Sequence, residues 1–169
     1  MRRYSALEAQ VRALTARVAA LEDRLEIARL MAAYGPAADS GSARATAALW
    51  AEDGRYDAGI VTLEGAPAIA EMIATDPHQR FIATGAAHIV SPPHIELHGD
   101  RATATCYQLV LLRNADTDDY RTWRVSANRW EWARTPTGWR ITARYNRLLD
   151  GSDAARALFR TAFEEGNQA

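Results

Sequence analysis

No lysine occurs anywhere in the 169 residues; all 20 basic side chains are arginine. That absence excludes Schiff-base chemistry on a lysine and the phosphate-loop lysine of nucleotide-binding enzymes. Cysteine is nearly absent as well. Cys106 stands alone, which excludes an intrachain disulfide and any cysteine-built zinc or iron–sulfur centre within one chain. It reads as a small core residue. Surplus charge is also missing: the formal net charge is -1, where a nucleic-acid binder needs a clustered basic excess. No apolar run approaches the ~20 residues that span a bilayer. Met1-Arg2-Arg3 leads into charged residues, unlike a secretory leader. The expectation is a cytoplasmic protein with neither nucleic acid nor membrane as partner.

What is present is a 48% hydrophobic chain with the length of one domain, enough to bury a core without disulfide or metal staples. Its clearest periodicity comes first. Leu7, Val11, Leu14, Val18, Leu21 and Leu25 alternate in steps of four and three, a heptad seam with valine at a and leucine at d, which leans towards two strands. In a parallel pair Arg3 would face Glu8 and Arg17 would face Glu22, both opposite in sign. The spacing predicts a self-associating helical extension over residues 1–24, followed by one domain over 25–169.

The helix continues through Ile27, Leu30, Met31 and Tyr34 to Gly35-Pro36, where proline predicts a kink or stop. Asp39-Ser40-Gly41-Ser42 offers turn and cap chemistry for a short helix from Ala43 to Trp50. A hairpin is expected from Arg55 through Ala58-Gly59 to Glu64, then a helix from Ala66 to Thr75 with Pro67 in its first turn. Beyond it the chain reads as strands. Ala86 to Leu97 is broken by Ser91-Pro92-Pro93 and so must be an edge or bulged strand. Arg101–Arg113, Tyr120–Arg134 and Trp139–Leu148 follow, and a helix from Asp153 to Glu165 closes the order. Helices with an early hairpin, then long antiparallel strands, predict an α+β fold with helices on one face of a curved sheet.

The segments AAYGPAADSG, ALWAEDGRYDAG, AAHIVSPPHIELHGDRATATCY and RVSANRWEWARTPTGWRI resemble the SnoaL-like branch of the nuclear transport factor-like (NTF2-like) superfamily. The resemblance implies a cone around a hydrophobic pocket. Among the enzymes of that branch it is similar to scytalone dehydratase, the bile-acid dehydratase and hexachlorocyclohexane dehydrochlorinase. Those enzymes use a His–Asp pair for elimination, and the matching positions here are His88 and Asp39, with Tyr34 matching a family tyrosine. Ser126-Ala127-Asn128 matches a substrate-touching Ser-Ala-Asn.

The resemblance therefore implies His88 as base, Asp39 as its orienter and Tyr34 as a proton donor. Histidine suits the first role because its ordinary pKa lies near physiological pH. Asn128, Trp130, Trp50, Tyr56 and Tyr107 are the expected substrate contacts. No metal and no other cofactor is expected. The expected function is a cofactor-independent lyase performing a dehydratase-type elimination on a cyclic, largely apolar molecule such as a polyketide or steroid-like ring. An isomerase or cyclase on the same scaffold, or a non-catalytic binding or interaction module, stands as the alternative. A homo-oligomer is expected, a dimer from the heptads or a trimer from the resemblance. Asp57 and the arginines of the last strands (Arg121, Arg124, Arg129, Arg134, Arg140, Arg144 and Arg147) are read as solvated.

Overall fold

The computed structural model describes residues 2–166 and the side chains of residues 4–164, so Arg3 of the expected Arg3–Glu8 pair lies outside the described side chains. Helix α1 (Arg2–Asp39) runs unbroken for 38 residues. Its C-terminal part buries Ile27, Leu30, Met31, Tyr34 and Ala38, the spacing of a single helix face. Its N-terminal part buries nothing comparable: Leu7 to Leu25 of the heptad stripe stand 50–71% exposed.

The expected stop at Gly35-Pro36 does not occur. Pro36 cannot donate to the Ala32 carbonyl, but Ala32 is exposed, where water satisfies that acceptor. The helix ends instead beyond Asp39, where Ser40 and Ser42 donate their N–H groups to the Pro36 and Ala37 carbonyls at 3.0 Å each.

Helix α2 (Ala43–Ala47), strands β1 (Trp50–Asp57) and β2 (Thr62–Glu64), and helix α3 (Ala66–Ala74) follow. The second helix stops short of the expected Trp50 because the Ile141 N–H donates to the Leu49 carbonyl at 2.9 Å, drawing the chain into strand pairing. Helix α4 (His78–Thr84) was not expected. Strands β3 (Ala86–Val90) and β4 (His94–His98) are separated by the Ser-Pro-Pro run, and both pair with β5 (Arg101–Asn114). Strands β6 (Asp119–Thr135) and β7 (Gly138–Leu148) and helix α5 (Asp153–Gly166) complete the chain.

The sheet runs β2-β1-β7-β6-β5-β3, with β4 also on β5, and only β1–β7 is parallel. The β1–β7 register shifts between Trp50 and Arg55, and two bulges re-phase the β5–β6 and β6–β7 ladders. Trp132 pairs with Ile141 and Glu131 with Ala143, leaving Thr142 as the extra residue of β7. Val110 pairs with Arg124 and Leu111 with Thr122, leaving Trp123 as the extra residue of β6.

One face of this curved, unclosed sheet carries Trp130, Trp132, Trp139 and Ile141, all buried with α1 and α3 residues in one core cluster. The opposite face takes α5, where Phe159 meets Tyr107 at 5.0 Å and Phe163 meets His94 at 5.2 Å. The architecture is the expected α+β. Among the described residues no helix is long and apolar enough to cross a membrane.

Candidate active site

Asp39 is the last residue of α1 and His88 the middle residue of β3. Gly35 brings these two elements together. A Cβ on Gly35 would sit 2.1 Å from the His88 carbonyl oxygen, so only glycine lets the helix lie this close to the strand.

One turn later the Asp39 carboxylate grips His88 twice. Asp39 Oδ2 accepts the His88 backbone N–H at 2.7 Å, and Oδ1 accepts from Nδ1 at 2.5 Å. The alternative use of Asp39, capping α2, is not made: Ser42 holds the cap position and no side chain closes it. A carboxylate on Nδ1 fixes the tautomer and leaves the Nε2 lone pair available. Nε2 makes no hydrogen bond to any described residue.

His88 opens on a cavity of about 430 Å³. Its walls are largely apolar, with Ile60, Val61, Leu63, Met72, Phe81, Val110 and Trp123 around Tyr56, His78, Gln108 and Arg124. No Asp or Glu lines it. His78, on the unexpected α4, is buried beside His88 with ring centroids 5.8 Å apart. Its Nε2–H donates to the Ala38 carbonyl at 2.9 Å, because a carbonyl can only accept. Sequence reasoning missed His78 because its helix is too short to show a periodicity.

Behind the cavity lies a buried polar cluster that corrects the reading of Arg144 as solvated. Arg144 is fully buried. Its Nε donates to Asn128 Oδ1 at 3.0 Å and its Nη2 to Gln108 Oε1 at 2.8 Å, while Nη1 has no partner. The guanidinium lies 4.0 Å from the Trp130 ring centroid, 4.4 Å from that of Tyr34 and 4.8 Å from that of Tyr56, an arrangement that stabilises a cation through ring quadrupoles. Asn146 Nδ2 adds a second donor to Gln108 Oε1 at 2.7 Å. With its oxygen committed to this cluster, Gln108 turns its NH₂ group away from it, and Gln108 is a cavity wall residue.

The expected substrate contacts divide. Tyr56 lines the cavity. Asn128 and Trp130 are fully buried, Asn128 holding Arg144 and Trp130 stacked under it. Trp50 is core, packed 5.8 Å from Tyr56, and edges a separate hollow between α2 and α3. Tyr107 is half exposed on the α5 face, because strand alternation gives the cavity face of β5 to Gln108 instead.

Tyr34 is buried edge-on to Trp130 and does not line the cavity. Burial, only partly offset by the Arg144 charge, pushes its hydroxyl up to about 12, so it is a neutral phenol. Arg124 is half buried. Arg147 makes a two-pronged pair with Asp57, at 2.8 Å on each oxygen, which removes both from the solvated class. Among the described residues no group of His, Cys, Asp and Glu is placed to hold a metal ion.

Fold and cavity together define the NTF2-like class of α+β cones. The SnoaL-like domain matches residues 19–145, and the chain belongs to that family, whose superfamily includes dehydratase- and isomerase-type enzymes. It is similar to an NTF2-like protein of cystatin-like fold from Novosphingobium aromaticivorans, at 49% identity and a TM-score of 0.83 over 86% of this chain and 94% of that one. A second protein of that bacterium, proposed to be an aromatic ring hydroxylase, is 26% identical with a TM-score of 0.64, over 76% of this chain and 90% of its own. A Mycobacterium tuberculosis protein of unknown function is 24% identical with a TM-score of 0.66, over 73% and 70% of the two chains, and shows the fold alone. No curated protein matches the chain.

Proposed function

We propose that this protein is a cofactor-independent acid–base enzyme that removes a carbon-bound proton from a cyclic, largely apolar small molecule and drives a dehydratase-type elimination. One observation carries the reading: a histidine oriented by a carboxylate at 2.5 Å lines a largely apolar cavity, and its other ring nitrogen makes no hydrogen bond to any described residue. His88 Nε2 takes the proton, and Asp39 stabilises the imidazolium as it forms. The electrons of the broken C–H bond form the new double bond as the C–O bond to a β-hydroxyl breaks. The departing hydroxide takes the proton back from Nε2 and leaves as water.

Negative charge that gathers on a neighbouring carbonyl oxygen is met by the Gln108 NH₂ group, polarised by the Arg144 guanidinium at 2.8 Å. With no Asp or Glu in the cavity wall, His88 in this reading both removes and returns the proton. The same property favours isomerisation as the second reading, with the proton returned to carbon.

The test is deuterium wash-in at the acidic C–H of 2-tetralone, a two-ring ketone, followed by NMR in D₂O. The wild type is expected to exceed His88→Ala by at least about 10²-fold. Equal rates, with the ketone bound by both proteins, would place the protein among binding modules.

We also propose that the exposed heptad stripe of α1 pairs with further copies of the chain, residues 1–24 serving as the association segment of the 25–169 domain. Equilibrium sedimentation of the full chain and of a chain lacking the residues before Glu22 decides this. The expected result is a dimer or trimer that the truncation dissociates. A monomer in both would end the idea.

A further inference from the structure

The bulge on β6 brings Trp123 into the cavity wall beside Arg124. Trp123 and Arg124 are sequence neighbours, which a regular strand would send to opposite faces. With Trp123 as the extra residue, both line the cavity, as expected where a bulge re-aims side chains.

All partners of Arg124 are neutral. Its Nε donates to Ser126 Oγ at 3.0 Å, and its Nη2 to the Ala58 carbonyl at 3.1 Å and to Asn146 Oδ1 at 2.9 Å. Its Nη1 makes no hydrogen bond, and no described carboxylate pairs with it. The acid adjoining Ala58, Asp57, is already engaged by Arg147. A guanidinium stays charged at any physiological pH and offers a planar fork suited to carboxylates. The cavity wall therefore holds a permanent cation that the protein leaves uncompensated, in front of a second one, Arg144.

We infer that Arg124 anchors the carboxylate of the ligand, so that the cavity selects ring-bearing organic acids over neutral rings. The inference rests on the proposed reading of the cavity as a ring site, though not on catalysis. His88, Val110 and Arg124 are direct partners across β3, β5 and β6. The base and the anchor thus stand two strand spacings apart, about 10 Å between backbones. That separation suits a fused two-ring acid with its carboxylate on Nη1 and its far ring under His88.

The experiment is calorimetric titration at neutral pH with 2-naphthoate and its neutral isostere 2-naphthamide. The wild type is expected to bind the acid at least about 10-fold more tightly than the amide, the scale of a charge-assisted contact. Arg124→Gln is expected to abolish that preference while binding the amide within about 3-fold of wild type, and Arg124→Lys to keep part of it. His88→Ala is expected to keep all of it, separating the anchor from the chemistry.

Equal binding of acid and amide by the wild type, or a preference that survives in Arg124→Gln, would overturn the anchor and leave the ring site standing. Failure of both probes on the wild type would overturn the ring site as well. Should Arg124→Gln lose both ligands, Arg124→Lys decides: an undiminished preference there contradicts a fork-shaped anchor, and a weakened one supports it.

Discussion

The two walls of the cavity treat charge in opposite ways. On the β3 wall, His88 meets the Asp39 carboxylate through both its ring and its backbone. On the β6–β7 side, Arg124 in the wall and Arg144 behind it meet only neutral oxygens and aromatic faces. A carboxylate that accepts from a histidine's ring and backbone orients the ring and satisfies both groups. A buried cation without an anion costs stability unless something else supplies the charge. On the proposed reading, the first wall serves bond-breaking and the second meets a negative charge that arrives with the ligand or develops during reaction.

The largest effect expected from breaking this contrast is on the paired wall. His88→Ala should lower turnover about 10³-fold, and Asp39→Asn about 10²-fold. Because the two act as one unit, the double variant should be no slower than His88→Ala alone. A further additive loss, read from single-turnover rates, would separate them.

Gly35→Ala reaches the same pair from behind. Its methyl group would meet the His88 carbonyl at 2.1 Å, forcing α1 off β3. Turnover should fall as far as in Asp39→Asn, with about 1–3 kcal/mol lost from folding stability, the usual cost of overpacking. Unchanged activity would contradict the close approach.

Arg144→Met sharpens the comparison from the other side. The variant removes an unpaired buried charge, and Asn146 Nδ2 still serves Gln108 Oε1 and Asn128 Oδ1, at 2.7 Å and 3.2 Å. Folding stability by urea titration should therefore change by no more than about 1 kcal/mol, while turnover falls about 10²-fold. A large loss of stability with intact turnover would make Arg144 a structural residue.

The smallest effect concerns Asp57, whose carboxyl the Arg147 hydrogen bond and ion pair hold below the ordinary aspartate range. A lowered value means stability that is full above about pH 4 and is lost as the pH falls through the folded value. Urea midpoints between pH 2 and 6 should fall less steeply in Arg147→Leu than in the wild type. Equal slopes would show that the pair contributes nothing to the β1 end of the cavity.

Much of the fold was legible in the sequence, because helix α1 and the long strands carry periodicities that tertiary packing leaves intact. Asp39 and His88 were legible only as a match to a family pattern, since spacing alone also allowed Asp39 a capping role. The buried Arg144 was not legible, and the reason lies in a bulge. Trp139 and Ile141 alternate inwards along β7, and a strict period of two would carry Arg144 outwards. The extra residue Thr142 reverses the phase and turns Arg144 and Asn146 inwards. On β6 Arg124 keeps the inward phase of Ser126, Asn128 and Trp130, and the bulge instead brings its neighbour Trp123 to the same cavity. Gly35-Pro36 misled for a different reason: it reads as a helix breaker, and its glycine serves instead to let two backbones touch.

The claim on which the account turns is that His88 shows the cavity a lone pair. Nitrogen-15 and proton NMR of histidine-labelled protein, wild type against His88→Gln to assign the signal, measures this without any substrate. The account predicts that neutral His88 carries its proton on Nδ1, shifted downfield by the Asp39 carboxylate, with Nε2 unprotonated. A proton found on Nε2, with Nδ1 bare, would contradict it.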